Sequence, residues 1–228
     1  MIEVNFSISE RATIDNYEHS INKSASDWTD KIFDLVKKSI KDHYLKEQNY
    51  TCSFCKQKIR VKHNRAWDTE HIISRSSHPA FMFHPQNLCV TCIDCNTEKS
   101  SKEVLSTPKQ KIRFPNKSSA YIIIHPHFDT YDDHLKVIVA GQLYEWKTPK
   151  GRATLNIYGL DRFLKVADRT QLPDPNVRRL MMAALTSKDD VGSYGSFELE
   201  LLEHLALKHS KKLGPQMSID IIKKLKEA

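Results

Sequence analysis

The chain has 228 residues, 39% of them hydrophobic and 28% charged, an ordinary balance for a folded globular protein. No apolar run approaches the roughly 20 residues of a membrane helix, and MIEVNFSISERATID at the amino terminus has neither a basic start nor an apolar signal core. Five cysteines, an odd number, argue against a disulfide framework and for a reducing, cytoplasmic setting in which thiols bind metal or act as nucleophiles. A formal net charge of +7 makes nucleic acid the leading partner class.

Ile2, Val4, Phe6 and Ile8 alternate with polar residues, which predicts a short strand over 2–8. Trp28, Ile32, Phe33, Leu35, Val36, Ile40 and Tyr44 predict an amphipathic helix from Asp27 to about Leu45, with Ser26 or Asp27 as its N-cap. Two short strands around 50–61 should form a knuckle, followed by a strand near 68–73 and a helix from about Cys92 to Leu105. After the last cysteine the chain turns basic, with Lys99, Lys102, Lys109, Lys111, Arg113 and Lys117 against only Glu98 and Glu103. Pro108 and Pro115 punctuate that connection.

AYIII at 120–124 reads as a buried strand, and HLKVIVAGQLYEW as a strand pair turning at Gly141-Gln142. Helices are expected at about 151–158, ended by Gly159, and at 160–170. A cleaner helical pattern covers 175–186, with Asp174 as N-cap and Pro175 in first position, and two more helices are expected at 197–210 and 218–227. The chain therefore divides into an N-terminal strand and helix (1–47), a cysteine-bearing core (48–106), a basic connection with a strand and helix extension (107–170) and a helical C-terminal region (171–228). The fold class is α+β.

Cys52-x-x-Cys55 and Cys92-x-x-Cys95 supply four thiolates with 36 residues between the pairs. A tetrahedral Zn²⁺ takes such a set, and a closed four-sulfur shell leaves no position open for chemistry, so this zinc is structural. Cys89-x-x-Cys92 is also a permissible pair; Cys92 and Cys95 are the preferred ligands and Cys89 is read as a small buried hydrophobe. Joining the two pairs turns residues 56–91 into a closed excursion. Asp68, Glu70 and His71 lie on its first strand, Asn87 on its return, and Asn96 at the start of the following helix.

Glu70-His71-Ile72, Asn87-Leu88 and Cys92-x-x-Cys95-Asn96-x-x-Lys99 together resemble the HNH endonucleases, over roughly residues 50–103. The resemblance implies a ββα-metal core with a zinc brace and hydrolysis of DNA. It makes His71 the general base, Glu70 a ligand of the catalytic divalent ion (Mg²⁺ or Mn²⁺) and Asn87 the residue that orients the base. Asn96 stands where the family often has histidine, and its amide oxygen remains a metal donor. Asp68, two residues before Glu70 on the same strand face, is the alternative acid.

The residue chemistry is apt for this reaction. A neutral imidazole takes a proton from water, and a hard cation held by few protein oxygens keeps sites for phosphate and water. Lys99, one turn beyond Asn96, and Lys102 are expected to meet backbone phosphates. A zinc-braced nucleic-acid-binding module without catalysis would use the same thiols and the same basic run, but it would not require Glu70, His71, Asn87 and Asn96. His63, His78 and His84 receive no role. His125, His127, Asp129, Asp132, Asp133 and His134 gather in one stretch, but their spacing matches no metal-ligand template.

GRATLNIYGLDRFLKVADR loosely resembles the segment after the nuclease core in HNH proteins of Septu-like and retron-associated antiphage systems. That resemblance implies an ATPase partner. The apolar residues Phe197, Leu201, Leu202, Leu205, Ile219, Ile222 and Leu225 would be its docking surface, the alternative being an ordinary core.

Overall fold

The structure, a computed structural model, describes residues 1–61, 66–107, 112–141 and 143–160. Helix α1 (Ile8–His19) starts at a capping box: Ser7 accepts from the Glu10 amide, and the Glu10 side chain accepts from the Ser7 amide. This cap displaces the strand expected over 2–8. The preceding residues run extended without a strand partner; the Ile2 amide donates to Glu47 and the Val4 amide to the Tyr44 hydroxyl. Val4 is buried, but Ile2 and Ile8 are exposed, so the alternation reflects no sheet face.

The helix expected over 27–45 breaks into three pieces. Ser24 and Asp27 cap a 3₁₀ turn at Ala25–Thr29, Asp30 caps a second at Lys31–Phe33, and α2 runs from Asp34 to Glu47. Val36, Ile40, Tyr44 and Leu45 carry its buried face, whereas Ile32 and Leu35 stay exposed.

The two strands expected around 50–61 reduce to one isolated bridge, Thr51 to Lys58, with the Cys52 amide donating to the Gln57 carbonyl and the Ile59 amide to that of Tyr50. Beyond it, β1 (Trp67–His71) pairs antiparallel with β2 (Leu88–Cys92), Trp67 opposite Cys92 and His71 opposite Leu88. Helix α3 (Ile93–Lys99) follows β2 directly. It is shorter than expected, because Ser100 adopts φ 48° and ψ −124° and turns the chain away.

The stretch at 120–124 forms no strand. Tyr121 makes one bridge to Leu105, and the Ile122 amide donates to the Val104 carbonyl, while Ile123 and Ile124 supply buried apolar surface. The expected strand pair does form: a single turn, α4 (Tyr131–His134), leads into β3 (Leu135–Val139) antiparallel to β4 (Leu143–Trp146). Gly141 takes φ 81° in the connection, and its amide docks on the Cys55 carbonyl. Thr148 caps α5 (Pro149–Ile157), and Gly159 at φ 54° ends it as expected.

One hydrophobic core joins α1, α2, the knuckle, β1–β2 and Tyr158, so the boundaries at 47 and 106 do not separate independent cores. The mixed helix and small-sheet architecture is α+β. Lys109 and Lys111, and the helices expected at 160–170, 175–186, 197–210 and 218–227, lie outside the described residues.

Candidate active site and metal centre

The four sulfurs of Cys52, Cys55, Cys92 and Cys95 are buried and lie within 4.8 Å of one another. A tetrahedral ion with Zn–S bonds of about 2.3 Å places its sulfurs about 3.8 Å apart. Cys55 and Cys92 already meet that edge at 3.7 Å. The Cys92 amide donates to the Cys52 sulfur at 3.4 Å, a bond that favours thiolate. Burial pushes the Cys52 thiol up, whereas hydrogen bonds from its neighbours hold Cys92 down. Four thiols so crowded cannot all ionise alone, and a dication resolves the conflict; the cluster fits a metal ion such as zinc.

Cys89 is fully buried opposite Glu70 and stands outside the cluster. Helix α4 and strand β4 each tie to the knuckle. Tyr131 donates to the Phe54 carbonyl at 2.6 Å, and Tyr144 donates to that of Cys55.

Beside β1 opens a cavity of about 1040 Å³. Asp68, Glu70 and His71 line it from β1, Asn96 and Lys99 from α3, Trp28 from the first 3₁₀ turn, and Lys37, Lys38 and Lys41 from α2. Four consecutive β1 residues, Asp68, Thr69, Glu70 and His71, border the cavity, so Glu70 and His71 share it. The acid, the imidazole and the asparagine named from sequence therefore line one cavity.

His71 is 6% exposed. Its Nε2 lies 3.1 Å from the Met82 carbonyl, which can only accept, so Nε2 carries the proton and Nδ1 keeps its lone pair. Burial, then the positive charges of Lys99 and Arg75, pull its pKa down to about 3, and the ring is neutral at physiological pH. Trp28 packs edge-on against the imidazole, ring centres 4.5 Å apart. The bond that orients the base therefore comes from Met82 and not, as expected, from Asn87. Asn87 works one step back. Its Oδ1 accepts from the Ile73 amide at 2.7 Å, and its Nδ2 donates to the Ile73 and Phe81 carbonyls, which closes the neck of the loop that carries Met82.

Glu70 is almost fully buried and pairs with Lys99 at 2.8 Å. Burial pushes its carboxyl up, and the opposing pulls of Lys99 and the Tyr158 hydroxyl do not cancel that effect. Lys99 also donates to the His71 carbonyl. With 1% exposure it cannot serve as the surface phosphate contact expected from sequence; its ammonium is an internal counter-ion. Lys102 is exposed and donates to the Ile157 carbonyl at 3.1 Å. Asn96 donates from Nδ2 to Asp68 Oδ2 at 2.8 Å, so its amide meets Asp68 and not Glu70, and its Oδ1 remains an acceptor.

Asp68, Glu70 and the Asn96 oxygen are hard donors, suited to Mg²⁺ or Mn²⁺ and not to a thiolate-seeking ion. A cation on Glu70, here Lys99, is already favoured.

Sequence reasoning missed Trp28, Met82 and Tyr158. Trp28 and Met82 act from a 3₁₀ turn and through a backbone carbonyl, and Tyr158 reaches Glu70 from 88 residues away. None of these carries a local signal. His78 is buried against Phe81 and His84 stacks on Phe114, so neither faces the cavity. Asp129 is spent on Lys150, Ser118 and the His125 amide. Among the described residues the four cysteines are the one group of three or more such side chains that could hold a metal ion. None of the described helices is long and apolar enough to cross a membrane. The chain matches no family model, no curated protein and no solved structure.

Proposed function

We propose that the chain is a metal-dependent HNH endonuclease that hydrolyses phosphodiester bonds of DNA. One observation carries this reading: an imidazole whose Nε2–H is committed to Met82 borders the same cavity as two carboxylates and an amide oxygen. In this reaction His71 Nδ1 takes a proton from water as the water oxygen bonds to phosphorus and the bond to the leaving alkoxide breaks. A divalent ion held by Glu70 and Asn96 would neutralise the phosphate oxygens and the alkoxide. Lys37, Lys38 and Lys41 on the cavity wall, the first two paired with Asp34 and Asp42, would meet the substrate backbone in place of the buried Lys99. The loose resemblance after residue 150 extends the proposal to an effector of antiphage defence that works with an ATPase partner.

The test is plasmid cleavage with Mg²⁺ or Mn²⁺ at stated salt, beside His71→Ala. The wild type should nick or linearise the plasmid, and the variant should lose at least about a hundredfold in rate while still binding DNA. Wild-type binding without cleavage across divalent ions would instead identify a zinc-braced binding module.

A further inference from the structure

We propose that the turn carrying Trp28 is a latch over His71, fastened by Arg75 and Lys37, and that DNA phosphates open it by drawing those two cations away. The base is then uncovered only when substrate lies in the cavity. The inference rests on the nuclease reading above and names the regulation of its site.

The closed site poses the problem. A general base has to come within about 2.6–3.2 Å of the water it deprotonates. His71 is only 6% exposed, and the Trp28 ring packs edge-on against it with centres 4.5 Å apart. Room at that ring for a water and a phosphate has to come from the movement of a neighbour. On one side Met82 is fully buried, and Asn87 closes the neck of its loop. Trp28 is held far less firmly. It sits on the 3₁₀ turn Ala25–Thr29, none of whose residues is buried. Ser24 and Asp27 cap that turn, and the Thr29 hydroxyl donates to the Ser26 carbonyl, so the turn keeps its own shape as it moves. Segments with few buried contacts are the ones that open locally at low cost.

Two cations fasten the turn. Arg75, from the loop after β1, donates to the Ala25 carbonyl. Lys37, from α2, donates to the carbonyls of Trp28 and Asp30 at 3.1 Å each. Trp28, Lys37 and Arg75 all border the cavity. Each fastening thus joins a charged donor to a neutral backbone acceptor. A charged acceptor makes a shorter and stronger hydrogen bond, and a guanidinium can hold a phosphate through two of them. Lys37 also pairs with Asp34 at 2.7 Å, but that carboxylate is mostly exposed, and solvent weakens the pair. A phosphodiester entering the cavity therefore offers both cations a better acceptor than the carbonyls they leave. Those carbonyls turn to water as the latch opens, and the Trp28 ring leaves the imidazole.

The experiment reads Trp28 by fluorine NMR of the full chain, zinc in place, with its three tryptophans supplied as 5-fluorotryptophan. Trp28→Phe assigns the resonance, and the signals of Trp67 and Trp146 report that the fold is intact. Arg75→Met combined with Lys37→Met should move the Trp28 resonance towards its solvent-exposed position without DNA, and each single variant should move it part of the way. A short DNA duplex without added Mg²⁺ or Mn²⁺ should move the wild type in the same direction. Without DNA, diethyl pyrocarbonate should modify His71 at least about fivefold faster in the double variant than in the wild type. A Trp28 resonance that stays in place in the single and double variants would overturn the latch. Duplex binding that leaves wild-type Trp28 unmoved, with plasmid still cleaved when Mg²⁺ is added, would overturn it too and leave the nuclease reading intact. A wild type that binds no duplex would remove both.

Discussion

Lys99 shows how burial redefines a residue. A lysine one turn beyond a candidate metal ligand, at the start of a basic run, reads as a phosphate contact. Folded, it is enclosed with Glu70 and donates to the carbonyl of His71. Two enclosed charges are tolerable only as a pair, because removing one strands the other in a poorly solvated site. Lys99→Met should therefore lower unfolding stability by about 3 kcal/mol or more, and the double variant with Glu70→Gln should recover part of that loss. Denaturant melts of the four proteins measure the coupling. A surface phosphate contact would behave oppositely: stability would hold, and the salt slope of DNA binding would fall by about one. His71 follows the same logic. Enclosure by Trp28 and the nearby cations keep it neutral, and the Met82 carbonyl selects the tautomer that leaves the Nδ1 lone pair unprotonated.

Among the elements, α3 ends where its sequence alone would let it continue. Ser100 holds φ 48° and ψ −124°, a region that a residue with a Cβ enters only under strain. The turn aims Lys99 inward and directs the chain towards Val104 and Leu105, which are buried. Relief of strain by Ser100→Gly is worth about 1–3 kcal/mol and the added freedom of the unfolded chain costs about 0.5–1, so thermal unfolding should report a net gain near 1 kcal/mol. An unchanged or lower melting temperature would show that the Ser100 side chain compensates.

The same helix marks what could be read in advance. β1, the start of α3, the cysteine pairs and the β3–β4 hairpin were legible, because spacing and alternation report local geometry; β2 was not assigned from its residues, since Leu88–Cys92 is buried throughout and shows no alternation. The strand at 2–8 was misread because Ser7 and Glu10 form a cap, which outweighs a short alternating pattern. The helix over 27–45 hid two capped 3₁₀ turns, and with them the placement of Trp28. Tyr158 and the Met82 carbonyl were beyond reach, since contacts across such sequence distances are made by packing and leave no periodic trace.

Across the whole described molecule, the site depends on a brace that touches no substrate. The four thiols fix Cys55 against Cys92, and so the knuckle against the end of β2 and the start of α3. Phe54, between the first two cysteines, stacks on Tyr158 with ring centres 3.5 Å apart, and Tyr158 donates to Glu70. Tyr131 of α4 and Tyr144 of β4 add hydrogen bonds to carbonyls of the same knuckle. Without an ion bound there, four buried, mutually crowded thiols stand where those chains of contacts converge. Structural zinc contributes an apparent 10–16 kcal/mol in small zinc-folded units, about as much as the 5–15 kcal/mol that holds a typical domain. If the thiols hold zinc, a zinc-selective chelator, or Cys52→Ser, should therefore lower the melting temperature by more than about 10 °C and, on the nuclease reading, abolish DNA cleavage even with Mg²⁺ in excess. Resupplied Zn²⁺ should restore both in the chelated wild type, whereas Mg²⁺ alone should restore neither. A protein that keeps its melting temperature with its zinc removed would show instead that packing of Phe54, Tyr158 and the hairpin suffices, and that the thiols are not the element that holds Glu70 and His71 at one cavity.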